Sequence, residues 1–194
     1  MLVSTFEILV KPQLPKDLPN PPPVLQSISR TVIQGYFLTL ANTTSSEVTI
    51  SLVFTAVTPP IDTDETIAFL DVEGINTVDD PILDKAPGKV RFRITIPAND
   101  TSLFILQPNI LKVDNDGKTL VEKADFEVRG YVEIFLSSLS APKFAQLLLT
   151  PEHRGTFFNK DLDNLASNPQ LDQIAYSLPT ANGSALYQLK KGEL

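Results

Sequence analysis

The sequence predicts an all-β protein, an immunoglobulin-like antiparallel β-sandwich of about ten short strands with little helix. Apolar and polar residues alternate over 48–56, 90–96 and 127–136, which places successive side chains on opposite faces of a strand. Clusters of turn-forming residues separate these runs. The chain shows no amphipathic helical pattern longer than about two turns and no fixed repeat, so a propeller or a β-helix is disfavoured.

Length and composition predict a single domain over residues 1–194. Of the 194 residues, 42% are hydrophobic and 20% charged, enough apolar surface to offset the entropy of folding. No stretch approaches the ~20 apolar residues that a transmembrane helix needs, and a net charge of −7 disfavours nucleic-acid binding. Because residues 1–10 lack the basic start of a secretory signal, we expect a cytoplasmic protein without membrane or nucleic-acid partners.

The first strand is expected at residues 1–10, with Phe6, Ile8 and Val10 on one face. Residues 11–23 follow with six prolines, which exclude a helix or a central strand and favour an extended spacer. We interpret this segment as a link between two sheets. The alternative is a ligand for an aromatic groove, because a lysine precedes a P-x-x-P core there.

Further strands are expected along most of the remaining chain. Residues 28–41 and 47–57 are predicted to form a hairpin across a polar break, and the second of them has one apolar and one largely hydroxylic face, as in a sheet with one wet side. The other predicted strands are residues 90–96, 102–107, 110–113, 118–121, 127–136, 144–149, 154–158, 173–178 and 184–189.

Turn signals assign partners to the later strands. Residues 144–149 and 154–158 are expected to pair across a turn at 150–153, and 173–178 with 184–189 across a loop that contains Asn182-Gly183. A helical turn is expected at residues 161–166. Residues 67–70 have the apolar composition of one more strand.

Three mid-strand residues are the candidate core, namely Phe54, Phe92 and Ile134, each on the apolar face of its run. Gly130 interrupts one of these runs, which indicates a bulge or a close approach of another backbone.

The residue inventory excludes most catalytic chemistry. The chain has no Cys and one His, His153, so thiol catalysis and multi-histidine metal sites are excluded. His153 is expected to lie in an exposed turn. No G-x-S-x-G elbow and no phosphate-binding glycine loop is present, so we predict no catalytic, cofactor-binding or metal-binding residues.

Two acidic segments are candidate cation sites. Asp114 to Gly117 resembles the middle of an EF-hand loop, but Lys112 and Lys123 stand where its first and last ligands belong, so a simple turn is predicted. Residues 61–84 contain eight acids and no Lys or Arg. This acidic stretch is interpreted as a solvated loop, with a patch for a basic partner and an oxygen-ligand metal site as alternatives.

These exclusions favour a non-enzymatic interaction or structural module that binds an unknown protein partner or self-associates. The alternative is a small-molecule or carbohydrate-binding domain, including a carboxylate-dependent hydrolase. A concave site with exposed aromatic residues beside carboxylates would favour the alternative.

Overall fold

The computed structural model describes residues 1–14, 19–20, 22–78, 82–83, 88–159 and 171–192. Within them the chain forms twelve strands and two short helices, which confirms the all-β prediction. The strands are β1 (Leu2–Pro12), β2 (Arg30–Asn42), β3 (Val48–Thr55), β4 (Thr66–Val72), β5 (Ile75–Val78), β6 (Ile82–Leu83), β7 (Lys89–Ile96), β8 (Thr101–Pro108), β9 (Phe126–Leu136), β10 (Phe144–Asn159), β11 (Asp172–Ser177) and β12 (Leu186–Lys190). The helices are α1 (Pro23–Ile28) and α2 (Leu120–Lys123).

All twelve strands belong to one antiparallel sheet. The order along it is β5-β4-β8-β2-β1-β9-β3-β7-β6, and β10 joins at β2 and carries β11 and β12 on its other edge. Hydrogen bonding is therefore continuous, where the sequence suggested two separate sheets.

The sheet curls because β2 changes partners along one edge. Residues 31–34 of β2 pair with β1, whereas residues 36–41 pair with β8. The two neighbours diverge at Gly35, while β10 follows the whole opposite edge of β2. The two ends of the sheet thereby face each other across a common core.

Aromatic side chains from both ends of the sheet meet in this core. The ring of Phe54 lies between 5.2 and 5.7 Å, centroid to centroid, from four other rings. Those rings belong to Phe6, Tyr36, Phe92 and Phe104. Phe54, Phe92 and Ile134 are all buried, which confirms the predicted core.

The second face of β3 is more buried than its sequence indicates. Ser51, Val53 and Thr55 are buried because β3 lies between β7 and β9. Arg91 and Glu133 flank Val53 in register, and the stems of such long side chains shield a small neighbour from water.

Two of the predicted hairpins join strands that do not pair with each other. β2 pairs with β1, β8 and β10, whereas β3 pairs with β7 and β9, so the polar break at 43–47 crosses from one part of the sheet to another. β11 and β12 both pair with β10 and not with each other, although Gly183 does occupy the predicted turn with φ of 70°.

The strand predicted at residues 118–121 does not form, and its second half belongs to a helix. Val113 and Thr119 form only an isolated bridge across the Asp114–Gly117 turn, and α2 begins at Leu120. Thr119 and Glu122 form a capping box, which satisfies the first free N–H groups of a helix and so favours one here.

β10 runs straight through the turn predicted at residues 150–153. Its one proline, Pro151, pairs with Leu38 on the β2 side. On the other edge of β10, pairing with β12 stops at Leu148 and pairing with β11 starts at Glu152. Pro151 lies in the gap between these two partners. The missing N–H of proline therefore costs no ladder hydrogen bond, and the Pro151 carbonyl accepts from the Leu178 N–H at 2.8 Å.

The proline-rich segment 11–23 connects neighbouring strands of one sheet, which corrects its assignment as a link between two sheets. Its described ends belong to regular elements, because β1 extends through Pro12 and α1 begins at Pro23. Gln13 donates its N–H to the Arg30 carbonyl at 2.8 Å. The helical turn predicted at residues 161–166 lies outside the described residues.

Candidate functional site

His153 lies in the middle of β10 and is only 5% exposed. The prediction of an exposed turn histidine is therefore wrong, because no turn interrupts the strand at that point. Its ring packs edge-on against the rings of Tyr36 and Tyr176.

Both ring nitrogens of His153 are engaged. The Glu7 backbone N–H donates to Nε2 at 3.0 Å, so the neutral ring carries its proton on Nδ1. Nδ1–H then donates to the Tyr176 hydroxyl, 3.1 Å away.

A closed ring of hydrogen bonds continues from Tyr176. Its hydroxyl donates to Gln34 Oε1 at 3.3 Å, and Gln34 Nε2 donates to the Glu7 carboxylate at 3.1 Å. The chain of donors thus returns to the residue from which it began, and Arg129 Nε donates to the same carboxylate at 2.6 Å. Each polar group that the sheet shields here has a partner, which is the arrangement that buried polar groups require.

The Glu7 N–H is available because β2 leaves part of β1 without a strand neighbour. β2 pairs with β1 only over residues 9–12. Nearer the start of β1, the Val3 carbonyl accepts from the Tyr187 hydroxyl at 3.2 Å and from the Ala181 N–H at 2.7 Å. His153, Tyr187 and Ala181 together supply the hydrogen bonds that a strand would otherwise make.

The pKa of His153 is lowered by burial, an effect that the nearby Glu7 charge partly opposes. The ring is therefore neutral near pH 7. With one nitrogen bonded to a backbone N–H and the other to Tyr176, the ring has no lone pair left for a substrate, and its function in this structure is to bridge β1, β10 and β11.

Period-two alternation contained the signal for this placement. Leu147 and Leu149 are buried, and His153 stands at the same phase of the strand. Because a turn is assigned to residues 150–153, the alternation is not continued to His153 and its burial is not predicted.

An apolar groove of about 650 Å³ lies on the sheet beside this network. β1 and β9 form its floor, and residues 179–181 form one wall. Its lining residues are Leu2, Ser4, Thr5, Tyr131, Glu133, Pro179, Thr180 and Ala181. Leu2 and Tyr131 are 51% and 39% exposed, so large apolar surface faces solvent inside a concavity.

A β-bulge shapes the floor of the groove. The register between β1 and β9 shifts between Leu2 and Ser4, and consecutive residues Val3 and Ser4 are both buried. Leu2 and Thr5 consequently stand on the outer face, opposite Glu133 and Tyr131. A bulge re-aims side chains in this way beside many binding sites, but strict alternation in the sequence gives no sign of it.

The wall of the groove is anchored at both ends. The Leu178 N–H donates to Pro151, and the Ala181 N–H donates to Val3. The Tyr187 hydroxyl donates to the same Val3 carbonyl at 3.2 Å. The groove is therefore formed by fixed backbone rather than by a loose loop.

The acidic stretch does not assemble a metal site among its described members. Asp62 Oδ1 accepts from the Asp64 N–H at 2.8 Å, and Asp64 lies 3.6 Å from the Lys112 ammonium. Across all residues whose placement is given, no three His, Asp or Glu side chains are grouped to hold a metal ion. Asp79, Asp80 and Asp84 lie outside that set.

The Asp114 turn is held by its own hydrogen bonds. Hydrogen bonding to the Lys123 side chain, followed by that to the Lys118 N–H, lowers the pKa of Asp114 to about 2. One of the lysines expected to exclude an EF-hand therefore pairs with a carboxylate that such a loop would need for calcium.

In the described residues, neither helix has the length or the apolar content to cross a membrane.

No protein-family model matches this chain, and no curated protein matches it. One similar solved structure is AvmM, which catalyses macrocyclisation in alchivemycin A biosynthesis. It shares 7% identity over 76% of this chain and 79% of its own, with a TM-score of 0.22. Clostridium perfringens delta-toxin shares 10% identity over 83% of this chain and 71% of its own, with a TM-score of 0.23. These TM-scores are too low for either likeness to bear on function.

Proposed function

We propose that this chain is a non-enzymatic binding module whose ligand surface is the groove between β1, β9 and residues 179–181. The observation that carries the proposal is a concave apolar surface of about 650 Å³, within the ~300–1,000 Å³ typical of small-molecule sites. The exposed ring of Tyr131 beside Glu133 is the combination of aromatic residue and carboxylate expected of a small-molecule domain.

Binding is favoured over hydrolysis by the composition of the groove. Glycoside hydrolysis by carboxylates uses two of them, ~5–10 Å apart, on either side of the scissile bond. Glu133 is the one carboxylate among the residues that line this groove. The neutral, fully hydrogen-bonded His153 offers no alternative base.

The proposed architecture for this function is a sandwich of the immunoglobulin-like kind, in which the two ends of the curled sheet act as layers. The shared aromatic core supports it, because rings of β1, β3 and β7 pack against rings of β2 and β8. Fold by itself does not specify a ligand.

Occupation of the groove is tested by titrating hexanol into ¹⁵N-labelled protein and following amide chemical shifts. We expect saturable shifts at Leu2, Thr5, Tyr131 and Ala181. The variant Ala181→Trp keeps its backbone N–H and fills the groove, so it should abolish them. Ala141→Trp, at an exposed position away from the groove, is the control and should leave them unchanged. Shifts that are unsaturable or located elsewhere would contradict the proposal.

A second candidate function, interaction with a protein partner or a second copy, is supported by β11. All six of its residues are exposed, and its sequence contains neither Lys nor Pro, the residues that usually protect an edge strand from pairing. Light scattering after size-exclusion chromatography should then show a dimer that Ile174→Lys converts to monomer and Thr150→Lys, at an exposed position of β10, does not. A monomer at all concentrations would remove the second copy as a partner of β11.

A further inference from the structure

We propose that the ligand of the groove is a small molecule with an apolar body and a protonated amine, and that the carboxylate of Glu133 binds the amine. This inference rests on the proposed function, since it names the class of ligand for the same groove.

Glu133 differs from the other acids on the same strands. Glu7 is hydrogen-bonded to Arg129, and Glu127 forms ion pairs with both Lys11 and Arg129. Glu133 is half-buried, and within the described part of the chain its carboxylate has neither a hydrogen bond nor an ion pair. The neighbouring Met1 ammonium donates to the Ile134 carbonyl at 2.9 Å. A partly desolvated carboxylate without a cation gains most from a ligand that supplies one.

The rest of the lining favours the same sign of charge. The other polar side chains of the lining are the hydroxyls of Ser4, Thr5, Thr180 and Tyr131, and no Lys or Arg lines the groove. Hydroxyl oxygens accept hydrogen bonds from an ammonium group, whereas no Lys or Arg among the lining residues would pair with an anionic ligand. The aromatic face of Tyr131 adds attraction for a cation.

Size indicates a small molecule rather than a protein segment. A groove of about 650 Å³ accommodates a drug-sized ligand, and its wall at residues 179–181 is fixed to β1 and β10 by the hydrogen bonds of Ala181 and Leu178. Leu2, Pro179 and Ala181 provide apolar surface for the body of the ligand, while Glu133 fixes its charged end.

The test compares three six-carbon probes that share an alkyl chain, namely hexylammonium, hexanol and hexanoate, by the same amide-shift titration at pH 7. We expect hexylammonium to bind about 10-fold more tightly than hexanol, the order of a charge-assisted hydrogen bond, and hexanoate to bind most weakly. Glu133→Gln should reduce the preference for the amine to less than about twofold while hexanol binding persists. Glu47→Gln, which removes an exposed carboxylate elsewhere, should leave the preference intact.

The outcomes separate this inference from the proposed function. Hexanol binding with no preference for the amine overturns the inference and leaves the groove as a binding site. Absence of binding by all three probes overturns both. Tighter binding of N-acetyl-lysine methylamide than of hexylammonium would assign the site to a lysine side chain of a protein, which also overturns the small-molecule assignment.

Discussion

His153 takes the place of a hydrogen-bonding strand for the part of β1 that β2 does not reach. Nε2 accepts the N–H of Glu7, and Nδ1 donates to Tyr176. The side chain thereby links β1 to β10 and β11, which pair with each other but not with β1. We therefore expect the buried His153 to contribute more to stability than an exposed turn residue would.

Replacement of His153 by Ala should lower the free energy of unfolding by about 1–3 kcal/mol, because the Glu7 N–H loses its acceptor behind the sheet. Urea denaturation measures this difference. Thr150→Ala, at an exposed position of the same strand, is the control and should change stability by less than about 0.5 kcal/mol. Equal effects of the two substitutions would contradict the bridging function of the imidazole.

The same imidazole should make stability depend on pH. Burial lowers the pKa of His153 in the folded protein, so the unfolded chain takes up its proton first as pH falls. The contribution of His153 is therefore complete above about pH 6.5, the ordinary pKa of histidine, and is lost as pH falls below it towards the lowered folded pKa. In urea titrations from pH 8 to pH 5, the stability advantage of the wild type over His153→Gln should shrink. A constant difference would refute this linkage.

At the scale of elements, close approach of two strands is controlled by glycine. A Cβ at Gly130 of β9 would lie 1.9 Å from the Thr55 carbonyl oxygen and 2.8 Å from the Phe6 ring. Phe6 is the cross-strand partner of Gly130, and Thr55 is where β3 ends. The close approach predicted for this glycine is confirmed.

Gly130→Ala should destabilise the protein by about 2 kcal/mol or more, because backbone must move to relieve the clash. Thermal and urea unfolding both report the change. Gly155→Ala in β10 is the matched control, since its added Cβ would meet side chains and backbone no closer than 3.4 Å, and it should cost less than about 1 kcal/mol. The opposite ranking would show that β3 and β9 separate at this point.

At the scale of the whole molecule, the aromatic core joins the two ends of the curled sheet. Phe54 is the ring that contacts both ends, since it touches Phe6 and Phe92 on one side and Tyr36 and Phe104 on the other. Tyr36 is fully buried, which raises the pKa of its phenol, and its hydroxyl is hydrogen-bonded to Ser4. The phenol of Tyr36 thus enters the core with its hydroxyl hydrogen-bonded.

Phe54→Ala should reduce the free energy of unfolding by about 3–5 kcal/mol, the usual cost of removing a buried phenylalanine. Phe144→Ala removes the same side chain from a position that is 63% exposed, and it should cost less than about 1 kcal/mol. Urea denaturation of both variants provides the comparison. A similar cost for the two would mean that the ends of the sheet do not share one core.

The residues themselves specified the strands and their buried faces. Alternation placed Phe54, Phe92 and Ile134 in the core and assigned most strand bounds to within two residues, because burial of one face and the pleat of a strand are local and periodic. Gly130 likewise indicated a close approach before any partner was known. The absence of Cys and the presence of a single His excluded thiol catalysis and multi-histidine metal sites.

Tertiary structure decided which strands pair and therefore where the groove lies. Partners are chosen by contacts between residues distant in the sequence, and no local pattern records that β2 leaves β1 at Gly35 or that β10 continues past Pro151. Proline predicts a break unless its missing N–H faces a gap between partners, and that gap exists only once β11 and β12 have docked. The groove, its unpaired Glu133 and the bridging His153 all follow from these pairings, since each is formed by elements far apart along the chain.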